Sequence, residues 1–233
     1  MRARFVAGLG LMGLIAVLWV APAASADTAT IGAAAAPGSI FGGAANFTAL
    51  QQTTDATSPS FAVPPVPAGG GPWSVTSWGA LGGTGDGSAS LEIWRPTGTS
   101  GEFRLIAIGP QQPFPTGVVT SHPVSIPVLP GDDLGILSGP DTDFSPTYSS
   151  GKVGDAAIWA NSGTPAVGQT MGGPSSDFSP HGGSADARVN VQATLSSTPA
   201  AAAPTKTKCK KKKKHKRAAE SKKKKCKKHK KKK

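Results

Sequence analysis

The sequence predicts an all-β protein, an antiparallel β-sandwich of jelly-roll-like form, with a charged or apolar extension at each end. Three observations carry that reading. Apolar residues alternate with polar ones in short runs, the period of a half-buried strand. Between the runs lie turn formers, in a chain with 30 Gly and 21 Pro among 233 residues. No stretch beyond residue 26 carries the 3.6-residue apolar period of a long amphipathic helix. A chain of this size that forms only sheets must close them into a sandwich or barrel to bury their apolar faces.

Residues 1–26 have the anatomy of a secretory signal peptide. Arg2 and Arg4 supply a positive start, residues 5–20 an apolar stretch, and Ala24-Ser25-Ala26 a small-residue cleavage site ahead of Asp27. The apolar stretch is shorter than the ~20 residues a membrane span prefers. The expected outcome is export, with no transmembrane segment left after cleavage.

Residues 27–195 form the expected sandwich domain. Strands are expected over 47–53, 73–81, 89–94, 103–108, 117–128, 134–137, 156–160 and 187–195. The clearest pattern is 90–109, where two alternating runs flank a Gly-rich turn. Folded about Gly98, this hairpin sets Leu91 against Leu105, Ile93 against Phe103 and Glu92 against Arg104, giving one apolar face and one charge pair. Pro123 and Pro127 lack backbone donors and place the strand over 117–128 at a sheet edge. Leu129-Pro130-Gly131-Asp132 has the Pro and Gly positions of a type II turn. One motif recurs: Gly139-Pro140-Asp141-Thr142-Asp143-Phe144-Ser145-Pro146 returns as Gly173-Pro174-Ser175-Ser176-Asp177-Phe178-Ser179-Pro180. It reads as two similar loops feeding paired strands, with Phe144 and Phe178 tucked beneath.

Val75-Thr76-Ser77-Trp78, Leu91-Glu92-Ile93-Trp94-Arg95-Pro96, and Ile126-Pro127-Val128 leading into Gly131-Asp132-Asp133-Leu134-Gly135 resemble a family of secreted β-sandwich proteins of actinobacteria. Members of that family often end in Lys-rich tails containing Cys and His. The resemblance implies a sandwich fold and export, and transfers no activity or site.

Residues 196–205 read as an Ala/Pro/Thr linker, and residues 206–233 as a tail too charged and too poor in apolar groups to order on its own. Charge is sharply divided. Twelve carboxylates against Arg95, Arg104, Arg188 and Lys152 leave residues 27–205 at −8, whereas residues 206–233 carry +18 within a net charge of +12. The expected polyanion-binding residues are Lys206, Lys208, Lys210, Lys211, Lys212, Lys213, Lys214, Lys216, Arg217, Lys222, Lys223, Lys224, Lys225, Lys227, Lys228, Lys230, Lys231, Lys232 and Lys233. Such a segment binds polyanions by releasing their counterions, with little selectivity. For an exported chain the expected partners are anionic wall or extracellular polymers and anionic lipid headgroups, at the cell envelope. A specific nucleic-acid role conflicts with export, and the tail has no aromatic residue for base stacking.

Both cysteines, Cys209 and Cys226, lie in this tail. A disulfide between them, within or between chains, suits an exported protein; free thiols are the alternative. With His215 and His229 they have no zinc-finger spacing, and neighbouring lysines repel a cation. Asp132, Asp133, Asp141 and Asp143 are a weak calcium candidate set, since Asp is also ordinary turn chemistry. Trp94, on the face with Glu92 and Glu102, and Tyr148 are the aromatic candidates for stacking on a glycan, while Trp73, Trp78 and Trp159 are expected in the core. No catalytic residue or cofactor is assigned: there is no nucleophile elbow, zinc-binding His pair or P-loop, and His122 and His181 are the only histidines before the tail.

Overall fold

The computed structural model describes residues 26–36, 45–141, 143–160, 163–174, 176–177 and 182–199. Nearly all of the expected signal peptide, Phe178, His181 and the whole tail with Cys209 and Cys226 lie outside the described residues. The described chain is all-β: β1 (Thr28–Ala33), β2 (Thr48–Thr53), β3 (Gly70–Leu81), β4 (Gly87–Pro96), β5 (Phe103–Ile108), β6 (Gln112–Phe114), β7 (Val119–Val128), β8 (Asp133–Ser138), β9 (Thr147–Ser149), β10 (Ala156–Ala160), β11 (Thr170–Met171), β12 (Gly182–Ala185), β13 (Ala187–Val189) and β14 (Val191–Pro199).

Two antiparallel sheets face each other. The smaller has the order β1-β14-β3-β7, and the larger β11-β5-β4-β8-β2-β10-β12, with β6 pairing beside β4. Between them lies one core, in which Trp73, Val75 and Trp78 of β3 and Ala193 and Leu195 of β14 meet Leu91 and Ile93 of β4 and Leu134 and Ile136 of β8. β7 is an edge strand, as its two prolines require. The type II turn also forms: Gly131 has φ 84°, and the Asp132 N–H donates to the Leu129 carbonyl at 3.0 Å.

The larger sheet is apolar on its other face too. Along β2, Ala49 enters the shared core and Leu50 points away; along β10, Ala157 and Ile158 divide in the same way. The outward set, Leu50, Trp94, Phe103, Leu105, Ile158, Ala160 and Met171, forms a second buried cluster. Four strands separate β10 from β11 in the sheet order, and the smaller sheet closes the inner face. The Gly168 N–H and Gln169 O bond to the Leu105 backbone at 2.8 and 2.9 Å, extending the β11–β5 ladder. The end of β11 meets β10 over the outer face: Met171 and Ile158 share the cluster, and a Cβ on Gly172 would lie 3.2 Å from Ile158 Cδ1.

The hairpin of β4 and β5 forms in a different register from the one expected. Glu92 lies opposite Ile108, Ile93 opposite Ala107, Trp94 opposite Leu105 and Arg95 opposite Arg104, with an irregularity between Ile93 and Trp94. The turn is longer than a symmetric fold about Gly98 allows. Gly98 and Gly101 both adopt positive φ, and Thr97 and Glu102 close the loop at 3.1 Å. The bulge then sends Leu105 and Phe103 to the second cluster while Leu91 and Ile93 stay in the first.

Two further expectations change at the C-terminal end of the sandwich. The strand over 187–195 is two strands divided at Asn190: β13 pairs β9, and β14 joins the smaller sheet. β14 also continues through Pro199, pairing with β3 as far as Gly70, so residues 196–199 are strand, not linker. The expected strands after the two repeated loops, 156–160 and 187–195, do not pair with each other: β10 bonds to β2 and β12, while β13 pairs β9, with Ala187 opposite Ser149 and Val189 opposite Thr147. Phe144 is fully buried in the shared core.

Candidate functional site

Beyond the bulge, β4 and β5 turn a polar strip toward the face that elsewhere packs on the smaller sheet. Trp94 and Leu105 both enter the outer cluster, so their neighbours Arg95 and Arg104, which are Cα partners, point the opposite way. With Pro96, Thr97 and Ile106 they line an open hollow of about 240 Å³. Arg95 is held by a two-point ion pair, Nε to Asp132 Oδ1 at 2.7 Å and Nη2 to Asp132 Oδ2 at 2.9 Å. Asp132 is buried in turn and also accepts the Leu129 N–H at 2.7 Å. Arg104 is exposed, and no described carboxylate lies within ion-pair distance of it. Glu102, two residues before it, instead accepts a hydrogen bond from Thr97 Oγ1 at 2.7 Å.

On the reverse face Glu92 is fully buried. Trp94 Nε1 donates to its Oε2 at 3.0 Å and Thr48 Oγ1 to its Oε1 at 3.3 Å. Burial pushes this carboxyl up to about 8, the two hydrogen bonds offsetting part of the effect. Asp133, opposite Trp94 on β8, is raised to about 7 by burial and by the neighbouring Asp132 charge. Glu92 is therefore a neutral donor-bearing acid at pH 7, not the partner of Arg104 that the expected register made it.

The aromatic pair expected for glycan stacking has no open ring face. Trp94 is 0 % and Tyr148 6 % exposed. Trp94 lies over Gly135 and is enclosed by Leu50, Phe103, Leu105, Ile158 and Met171 of the second cluster. Tyr148 is packed with Ala35 and Leu81, with the Arg188 guanidinium 5.9 Å from its ring centroid. Trp73 and Trp78 are core residues, and Trp159 is half-buried against the core.

A second ion pair is interior. Arg188 Nε and Nη2 reach Asp155 Oδ2 at 3.1 and 2.5 Å, and Ser58 Oγ joins the group. Burial alone would raise the Asp155 carboxyl. Hydrogen bonds from Ser150, the Asp55 N–H and Arg188 outweigh it and hold the group below the usual carboxylate range. Neither the Arg95–Asp132 nor the Arg188–Asp155 pair was foreseen from sequence, because each joins residues more than thirty positions apart.

The four aspartates considered for calcium do not converge. Asp132 and Asp133 precede or open β8, whereas Asp141 and Asp143 follow its far end, roughly 20 Å along the strand direction. Asp132 is taken by Arg95, and Asp141 accepts from Ser88 Oγ at 2.8 Å. Among the described residues no group of three or more His, Cys, Asp or Glu could hold a metal ion. No family model, curated protein or solved structure matches the chain. His122 stands on edge strand β7, its Nε2 3.0 Å from the Pro113 carbonyl oxygen and its ring edge-on to Phe114, a packing role with no carboxylate or nucleophile bonded to it. Among the described residues no helix is long and apolar enough to cross a membrane. Lys206 to Lys233, the strongest binding signal in the sequence, lie outside the described residues.

Proposed function

We propose that the protein is exported and held at an anionic cell envelope by its polycationic end, presenting the β-sandwich as a display or binding surface. One observation carries this reading: the chain divides into an acidic segment at −8 and a terminal segment at +18. A polyanion attracts the second far more strongly than it repels the first. Counterion release makes that binding steeply salt-dependent. The signal-peptide pattern and the resemblance to secreted sandwich proteins with Lys-rich ends support the envelope as the setting. The aromatic glycan platform, the rival reading, loses its support with the burial of Trp94 and Tyr148.

The test compares the chain over 27–233 with one ending at Thr205, which keeps β14 whole, on isolated cell envelopes at about 50 and about 500 mM salt. Retention of the longer chain alone, and at the lower salt alone, is the expected result. Retention of the shorter chain at the higher salt would overturn the proposal.

A further inference from the structure

We propose that the hollow between Arg95 and Arg104 seats a single oxyanion group, a carboxylate or a phosphodiester, carried at intervals on an extracellular polymer. The first support is the juxtaposition itself. Two arginines stand directly opposite across an antiparallel pair, an arrangement that costs stability unless negative charge lies between or beside them. Asp132 supplies that charge for Arg95 but engages only Nε and Nη2. The rest of that guanidinium's N–H donors have no bond to a described group.

The second support is the state of Arg104. Of the four basic residues in 27–205, Arg95 and Arg188 are ion-paired and Lys152 Nζ bonds to Thr57 at 2.8 Å. The Arg104 side chain alone among them has no hydrogen bond or ion pair to a described residue. This is so although two carboxylates lie close in the fold. Glu102 is turned to Thr97, and Asp177 binds the N–H and hydroxyl of Thr170, the strand partner of Arg104. A planar fork facing open space beside a second guanidinium matches the two-point geometry of an oxyanion.

The borders set the class of ligand. Glu102 and Asp177 repel a densely charged chain and tolerate one isolated anion placed between the arginines. A hollow of about 240 Å³ is smaller than the pockets of drug-sized ligands and suits one monomer unit of a polymer. Pro96 and Ile106 offer that unit an apolar flank. This selectivity differs from that of the Lys-rich end, which favours dense charge. The extracellular source of the anion rests on the export reading, but the seat itself does not depend on retention by the Lys-rich end, and either can fail alone.

The test titrates the ¹⁵N-labelled full chain with two probes that each carry one anion: methyl glucuronide, a carboxylate, and the methyl ester of glycerol phosphate, a phosphodiester. Expected are saturable shifts at the Thr97, Arg104 and Ile106 amides and the Arg95 and Arg104 Nε–H groups. The probe with the lower midpoint identifies the source of the oxyanion. Arg104→Gln, at an exposed position whose loss leaves the spectrum dispersed, should raise that midpoint at least about 10-fold, the loss of a charge-assisted hydrogen bond. Arg104→Lys should fall between, keeping charge without the fork. Shifts confined to the lysines of 206–233, no saturable shift at the seat, or an unchanged midpoint in Arg104→Gln would each overturn the proposal.

Discussion

The side chain of Asn190 bonds both backbone groups of Leu81. Its Oδ1 accepts the Leu81 N–H at 3.0 Å and its Nδ2 donates to the Leu81 carbonyl at 2.8 Å. The remaining lone pair and proton go to Ala35 N–H and Ser145 O, each at 2.9 Å. All four sites of the buried amide are thus used, at the point where the chain leaves β13 for β14. Asn190→Ala removes this partner from four buried backbone groups. It should lower unfolding free energy by about 3 kcal/mol or more, read as a shift of the urea midpoint at constant slope.

Glu92 gives the fold a pH signature. Its folded value of about 8 lies above the ordinary carboxyl value of 4.5, so between those limits the native state binds more protons than the unfolded one. Stability therefore falls as pH rises from about 4.5 to about 8 and levels off beyond. Asp133, at about 7, adds to the same slope over a narrower window. Glu92→Gln keeps the shape and removes the proton. Denaturant midpoints taken from pH 5 to 8 should flatten in this variant, and the variant should exceed the parent at pH 8.

Asp155 and Arg188 make the opposite case, a carboxylate held in its charged form. Arg188→Met leaves a buried charge without its partner and should cost about 3–5 kcal/mol. The double change Asp155→Leu with Arg188→Met should recover most of that loss. A double-mutant cycle on equilibrium unfolding separates the pair's coupling from the two single losses.

Gly135 on β8 is the floor on which Trp94 rests. A Cβ there would sit 2.7 Å from Trp94 Cδ1 and Nε1 and 2.9 Å from the Ala49 carbonyl oxygen. Gly135→Ala should destabilise by about 1–3 kcal/mol, the cost of overpacking. It should also change Trp94 emission, because the indole must lift off Glu92.

Period-two alternation made the inner faces of the sandwich legible. The runs 103–108 and 156–160 form strands with those limits, and the edge position of β7 followed from Pro123 and Pro127. The outer cluster was hidden because alternation implies one wet face. Glu92 looked solvent-facing until Thr48, forty-four residues away, was brought onto it. β1 escaped notice because the alternation of Thr-Ala-Thr-Ile-Gly-Ala rests on one large apolar residue, Ile31, and β12 because Gly-Gly-Ser-Ala has none. Arg95 opposite Arg104 was illegible for a geometric reason: two left-handed glycines and a bulge set that register.

β14 ends the described chain, yet it lies inside its sheet, bonded to β1 on one side and β3 on the other. Ser197 N–H donates to the Asp27 carbonyl at 2.9 Å, and Ser197 pairs with Trp73 across the other edge. A pull applied at Pro199 therefore runs along a strand whose hydrogen bonds lie across the line of force on both flanks. Those bonds are loaded together, in shear; they do not peel away one at a time. A load that enters through this strand is shared from the outset by the ladders to β1 and to β3.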